Sequence, residues 1–415
     1  MAPTTPTGLA WGHTTDRVPY GIYTDRAVFE REIERIFEGP SWSYVALAAE
    51  VPEPGSFLTT WVGRRSVIVT RAKEGSVAVL ENRCAHRGVQ LCDAAFGRSN
   101  TLQCPYHQWT YALDGRLLGV PFRKGVAGKG GMPAEFNPTE NGLRSLQVHE
   151  RGGVIFASFA DAANGLLPFA DDLGPTMLEY FDRVFDGREL AVLGHMHQRI
   201  PANWKLVFEN IKDPYHASVL HVFLVTFGLF RADAPSSTKM DPTGRHSVLV
   251  ASRPAAPAPT DALANEVSSA KPGMTLADPR LLDPVREFPG DATVVMQTLW
   301  PNLIVQQQSN TLAMRQIVPR SAGEMDLHWT FFGYADDTSE MTERRLRQAN
   351  LMGPSGLVSV DDSEVLALAQ RGVEAAVDAS ALVAMGAGDV GDVDHIVTET
   401  AIRAFYRAYR EVMGE

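Results

Sequence analysis

The sequence is poor in cysteine, in positive charge and in long apolar runs, and each shortage excludes a class of protein. Three cysteines in 415 residues are too few for a disulfide framework, and a reducing compartment would not keep one. A formal charge of −11 argues against a nucleic-acid partner, which would select a basic face. The stretch SVLHVFLVTFGLF is interrupted by His221 and falls short of the about 18 residues that a spanning helix needs, so no membrane segment is expected. The opening residues, MAPTTPTGLAWGHTTDRVPYG, lack the charged head and apolar core of a secretory signal, so a cytoplasmic protein is expected. Forty-five per cent apolar residues suit a soluble globular chain, and at roughly 100–200 residues per domain two or three domains are expected.

From Trp42 to Phe159 the chain reads as short strands, among them SFLTTWVG, RSVIVTRA and VAVLENR, punctuated by Gly, Glu-Gly and Asp-Gly. This predicts a small all-β domain over 42–159. Gly63-Arg64 and Asp114-Gly115 mark hairpin turns. Residues 1–41 and 160–415 form the second domain. It holds a helix in DRAVFEREIERIF, a run of sheet in ATVVMQTLWPNLIVQQQSNTLAMRQIVP, and closing helices in MTERRLRQANLMG and IVTETAIRAFYRAYREVM. The segment 251–275, rich in Pro, Ala and Ser, reads as a mobile connection.

All three cysteines, Cys84, Cys92 and Cys104, fall in one short region with two histidines, His86 and His107. Cys84-x-His86 and Cys104-x-x-His107, seventeen residues apart, put one thiolate and one imidazole on each of two loops. Zinc is the plain reading of two Cys and two His, although its usual spacing keeps like ligands together. One of each per loop is how two loops clamp a [2Fe–2S] cluster, both cysteines on one iron and both histidines on the other. CAHRGVQLC…CPYHQWTYALDGRL resembles the Rieske domain of ring-hydroxylating non-haem iron oxygenases. That resemblance assigns Cys84, His86, Cys104 and His107 to the cluster and leaves Cys92 as a small buried hydrophobe. A Rieske electron carrier without oxygenase activity remains the alternative.

NWKLVFENIKDPYHASVLH places Asn210, Asp213, His216 and His221 in an apolar setting. On an ideal helix His216 and His221 would stand about 140° apart, so both face one metal only if the helix is bulged or begins between them. Two histidines and a carboxylate on one face of an octahedron bind Fe(II) and leave positions open for O₂ and substrate. The segment resembles the same oxygenase family. On that likeness His216 and His221 are iron ligands, and Asn210 and Asp213 are catalytic, with Asp213 linking His216 to His107 of a neighbouring subunit. Asp213 also reads as an N-cap ahead of Pro214. GPSGLVSVDDSEVLALAQRG is similar to the family's Gly-Pro-x-Gly motif and its acidic pair, which favours Asp362 over Asp361 as third ligand and turns Glu364 outward.

The resemblance implies an α+β fold: a small all-β Rieske domain inserted in a helix-grip-like catalytic domain whose antiparallel sheet is covered by helices. It also implies electrons from NAD(P)H through a reductase and a ferredoxin, and a homotrimer or an α3β3 assembly with a small β subunit. Val207, Phe208, Leu220, Phe223, Leu224 and Phe227 are available for an aromatic ring. Arg315, in an apolar strand, would be costly unpaired and should meet a carboxylate, from the protein or from a benzoate-type substrate. Arg403 is a second candidate, although Arg407 and Arg410 complete a stripe that solvent would accept. His195 and His197 alternate on a strand and read as core or surface residues. Over nearly its whole length the chain is similar to large subunits acting on salicylate, terephthalate and anthranilate, through VPFRKGVAGKGGMP, RRLRQANLMGPSG and GDVDHIVTETAIRAFYRAYREVMGE. Hydroxylation of salicylate to gentisate is the reaction this favours, with dihydroxylation of terephthalate, anthranilate or another benzoate as the alternative.

Overall fold

The computed structural model describes residues 11–12, 14–253, 274–388 and 390–414, so most of the expected connection at 251–275 lies outside the described residues. The chain divides into a unit of residues 37–167 and a second unit made of the residues before and after it. The smaller unit is somewhat longer at both ends than 42–159.

In the smaller unit, β1 (Ser43–Leu47), β2 (Ser56–Val62), β3 (Arg65–Arg71), β4 (Val77–Glu81), β5 (Phe96–Arg98), β6 (Leu102–Gln103), β7 (Thr110–Tyr111), β8 (Leu117–Gly119), β9 (Gln147–Arg151) and β10 (Val154–Ser158) build three antiparallel sheets, ordered β4-β3-β2-β5, β6-β7-β8 and β9-β10-β1. Gly63 closes the β2–β3 hairpin at φ +58°, where a Cβ would also stand 3.1 Å from Phe37 Cβ. Alternation along β3 gives the unit two cores. Val67 and Val69 pack with Val45 and Ile155, and Ile68, on the other face, packs with Cys84, Cys104 and Trp109.

The larger unit is built on one seven-stranded antiparallel sheet of β11 (Leu190–Ile200), β12 (Ser236–Met240), β13 (Ser247–Ser252), β14 (Ala292–Leu299), β15 (Leu303–Gln308), β16 (Thr311–Ser321) and β17 (Glu324–Tyr334), in the order β11-β17-β16-β15-β14-β13-β12. Seven helices accompany it among the elements that matter here: α1 (Phe169–Val184), α2 (Trp204–Lys212), α3 (Pro214–Leu220), α4 (Val222–Thr226), α5 (Ser339–Met352), α6 (Leu357–Ala375) and α7 (Thr400–Met413).

Helix α2 carries the first site residues, and its placement is over-determined. Asn203 caps it by accepting from the Lys205 N–H at 3.0 Å. Trp204 and Phe208 pack edge to face or tilted against Phe405 of α7, with centroids 6.0 and 5.6 Å apart. Beneath them Lys205 Nζ meets Glu32 Oε1 at 2.6 Å, both side chains fully buried. The same carboxylate accepts from Trp204 Nε1 and Tyr409 OH. Burial lowers Lys205 against the pull of Glu32. Removing either ion would strand the other, at a cost of about 3–5 kcal/mol.

Candidate functional site

The two loops of the smaller unit make the same backbone turn twice. Cys84 N–H donates to the Val89 carbonyl and Gly88 N–H to the Cys84 carbonyl, at 2.8 and 2.9 Å. Cys104 N–H donates to the Trp109 carbonyl and Gln108 N–H to the Cys104 carbonyl, at 2.8 and 3.0 Å. The fourth residue after each cysteine has a left-handed φ, Gly88 at +72° and Gln108 at +57°. The turns match while the histidines sit two and three residues after their cysteines. The unequal spacing is therefore a change of position on one shared turn.

Both cysteines are 2% exposed, and their histidines stand side by side, ring centroids 4.8 Å apart. His86 stacks flat on Trp109, and burial together with the charges of His107 and Arg87 lowers its pKa, favouring the neutral imidazole a metal requires. Tyr111 OH lies 3.2 Å from Cys84 Sγ and accepts from the Ala85 N–H. Among the described residues, no three of these four side chains bring donor atoms within 4.8 Å of one another. A single tetrahedral zinc, with bonds near 2.0–2.3 Å, would need that closeness. Two buried thiols and a pair of adjacent imidazoles are the donor types of a two-iron group. Cys92 is half-buried against the same core, its Sγ 3.6 Å from the Ala94 carbonyl.

In the larger unit, His216, His221 and Asp362 are the one set of three among the described residues whose donor atoms all lie within 4.8 Å. Asp362 Oδ1 is 3.5 Å from His216 Nε2 and 3.3 Å from His221 Nε2. The expected helix irregularity lies between the histidines: α3 ends at Leu220, His221 takes φ −83° and ψ 82°, and α4 begins at Val222. Asp213 Oδ1 caps α3 by accepting from the Tyr215 and His216 N–H groups, while Oδ2 is 3.6 Å from His216 Nδ1. Asp362 comes from the first turns of α6, a helix the sequence reading did not delimit. Asp361 faces the other nitrogen of His221, its Oδ2 3.5 Å from Nδ1, so it supports a histidine instead of joining the three donors. Asn210 donates to Asp362 Oδ1 at 3.1 Å and lies 3.3 Å from His216 Nε2.

Charge is concentrated at this point. Burial alone would lower His216, yet Asp213 and Asp362 push it up to about 10. Burial alone would raise Asp362, yet His216 and His221 hold it well below the usual carboxylate range. Such a donor set attracts a divalent cation, which replaces the proton on His216. It fits octahedral iron bound on one face.

The donor set opens on a cavity of about 60 Å³ whose wall includes Leu224, Phe230, Leu249, Val294, Met296 and Arg315. That is room for a few waters. Arg315 is 4% exposed. Its Nε donates to Gln306 Oε1 at 2.6 Å, its Nη2 bonds the same oxygen, and its plane covers the Trp329 ring at 4.0 Å. Gln306 in turn donates to Gln308. Among the described residues Arg315 has no carboxylate at ion-pair distance. Burial pulls it down to about 9, so it remains a cation at neutral pH.

Six expected pocket residues stand elsewhere. Val207, Phe208 and Leu220 are not on the wall of this cavity. Phe223 and Phe227 pack on each other, centroids 4.8 Å apart, and neither lines this cavity. Arg403 donates through Nη1 to the carbonyls of Val383 and Met385 and lines a different cavity. His197 stacks on His328 at 4.1 Å. Gln306, Gln308 and Trp329 were missed by sequence reading, and VQQQ inside an apolar strand was the signal that buried polar groups cluster there.

Residues 187–415 match the family described as ring hydroxylating alpha subunit (catalytic domain), and residues 41–129 match the Rieske [2Fe-2S] domain. The chain is 48% identical to the large oxygenase component of salicylate 5-hydroxylase from Ralstonia sp, over 100% of this chain and 99% of that protein. It is 42% identical to the anthranilate 1,2-dioxygenase large subunit of Burkholderia cepacia, over 96% and 93% of the two chains. Identity is 39% to a terephthalate 1,2-dioxygenase terminal oxygenase alpha subunit of Comamonas sp, over 98% of each. The crystal structure of naphthalene 1,2-dioxygenase from Rhodococcus sp. bound to indole superposes with a TM-score of 0.79 at 25% identity, covering 96% of this chain and 94% of that one. No helix among the described residues is long and apolar enough to cross a membrane. With two matching cluster loops in one unit and a two-histidine, one-carboxylate donor set in the other, the chain belongs to the alpha subunits of Rieske non-haem iron ring-hydroxylating oxygenases.

Proposed function

We propose that this alpha subunit hydroxylates an aromatic carboxylic acid, with conversion of salicylate to gentisate as the favoured reaction. The observation that carries this reading is Arg315: a buried cation with no carboxylate at ion-pair distance among the described residues, on the wall of the cavity onto which His216, His221 and Asp362 open. A substrate carboxylate is the partner that offsets its burial, and Trp329 beneath it keeps the guanidinium plane in place. End-to-end similarity to a salicylate 5-hydroxylase component supports the choice of acid.

On this reading Cys84 and Cys104 hold one iron of the [2Fe–2S] cluster, His86 and His107 the other, and His216, His221 and Asp362 hold Fe(II). The cluster supplies single electrons, and the mononuclear iron supplies a place for O₂ to react with the ring. Asp361 and Asp213 orient the two histidines through their second nitrogens, Asn210 orients Asp362, and Arg315 sets which ring carbon faces the metal. Salicylate, O₂, two electrons and two protons balance to gentisate and water. A reductase using NAD(P)H and a ferredoxin deliver the electrons, and a homotrimer or an α3β3 ring brings His107 of one subunit to Asp213 of the next. Similarity to anthranilate and terephthalate 1,2-dioxygenase subunits favours dihydroxylation of such an acid as the second reading. An electron carrier without oxygenase activity would have no use for the Asp362 donor set.

The test is turnover of the reconstituted protein, with reductase, ferredoxin and NADH, against salicylate, anthranilate, terephthalate and benzoate, reading product masses. One oxygen added to salicylate is expected. Turnover of another acid with salicylate inert would move the substrate, and no product from any acid would overturn the reading.

A further inference from the structure

A second cavity in the larger unit, about 820 Å³, is lined by Thr15, Asp16, Arg403, Arg407, Arg410 and Glu411 among others. It shares no lining residue with the cavity at His216, His221 and Asp362. Three arginines at i, i+4 and i+7 of α7 reach its wall, where one face of a helix brings such positions together. Arg403 is 5% exposed. One of its nitrogens, Nη1, holds the carbonyls of Val383 and Met385, while Nε and Nη2, and Asp16 Oδ1, are buried without a hydrogen-bond partner among the described residues. Buried polar atoms left unpaired are costly, and the two residues that carry them line one space.

We infer that this cavity is a second ligand site, distinct from the iron pocket, for a small oxyanion that also carries a hydroxyl. The oxyanion meets the charges of Arg407 and Arg410 and offsets that of Arg403 buried behind them, and the hydroxyl donates to the Asp16 carboxylate. Glu411 on the same wall sets a limit, since it repels any larger polyanion. Two sources share this chemistry: an aromatic hydroxy acid of the substrate class, and hydrogen phosphate.

The experiment is calorimetric titration of the full chain carrying Arg315→Met, which weakens acid binding at the iron pocket, with salicylate, benzoate and inorganic phosphate as separate probes. One equivalent of salicylate or of phosphate is expected, weakened roughly tenfold or more by the further change Arg407→Glu. Arg407 is exposed and its replacement leaves the Val383 and Met385 contacts intact, so misfolding does not blur the result. Salicylate binding that Arg407→Glu weakens assigns the hydroxy acid, and phosphate binding that it weakens assigns the phosphate. Benzoate binding as tightly as salicylate would overturn the role of Asp16. No binding of salicylate or phosphate at millimolar concentration, or binding that Arg407→Glu leaves unchanged, would overturn the site. So would a change in oligomeric mass in Arg407→Glu with neither anion bound, because the arginines would then serve a contact between chains.

Discussion

The two candidate metal centres are built in opposite ways. Cys84, His86, Cys104 and His107 lie within 24 residues, on two turns closed by the same pair of backbone hydrogen bonds. His216 and His221 are also local, but their carboxylate, Asp362, arrives from a helix 141 residues beyond His221, and Arg315 on the same cavity comes from a strand between. A local site depends on turn geometry. A dispersed one depends on how tightly the core holds separate elements in register.

That contrast can be broken from either side. The largest effect is expected of Cys104→Ser, which should abolish the visible absorption of the cluster and turnover together while mononuclear iron stays bound; metal analysis with a spectrum decides it. Should iron be lost as well, the two centres are not built independently. Next is Arg315→Met, which should raise KM for the aromatic acid about 10–100-fold and leave kcat less changed, since the side chain is placed to bind and orient. Steady-state kinetics separates the two constants. Asp361→Asn should weaken iron binding by a similar or smaller factor, about 10–100-fold, by releasing His221 Nδ1 without disturbing the cluster spectrum, and competition with a chelator measures it.

The last effect, on stability and not on activity, concerns the core behind the iron site. Burial pushes Glu209 up to about 7, against the opposing bonds from Tyr406 and Tyr23. The unfolded chain gives up this proton near 4.5, so between that pH and about 7 the folded state holds more protons and stability falls as pH rises. The drop should be about 2–3 kcal/mol and should flatten in Glu209→Gln, as chemical denaturation at pH 5 and pH 7 would record.

The same contrast explains what could be read from the sequence. Both cluster loops, the hairpins at Gly63-Arg64 and Asp114-Gly115, and the break before His221 follow from spacing and turn chemistry, so they were legible. Helix α6 was not delimited, because its polar residues Asp361, Asp362, Ser363 and Glu364 interrupt any clean apolar stripe where it meets the site. Family resemblance chose Asp362 over Asp361, and geometry supplies the reason: only Asp362 reaches both Nε2 atoms. Of the apolar residues expected in the pocket on sequence proximity to the iron histidines, Leu224 lines the cavity, whereas Val207, Phe208, Leu220, Phe223 and Phe227 do not. Arg403 was a second candidate for the substrate carboxylate, on a stripe that solvent would accept, yet α7 buries it and carries it to another cavity, a long-range fact that helical periodicity does not contain. Gln306 and Gln308 gained their meaning only when β15 was paired with β16, which sets Ile304 and not Gln306 opposite Arg315 and still lets the long side chains meet.

The central claim, that the cluster only delivers electrons and that the His216, His221 and Asp362 set does the hydroxylation, is tested most directly by Asp362→Ala. Metal content, visible spectrum and product are measured on one preparation reduced by the same ferredoxin. The account predicts an intact, reducible cluster, loss of the third iron per chain, and no hydroxylated acid. Hydroxylated product at the wild-type rate from that variant would contradict it.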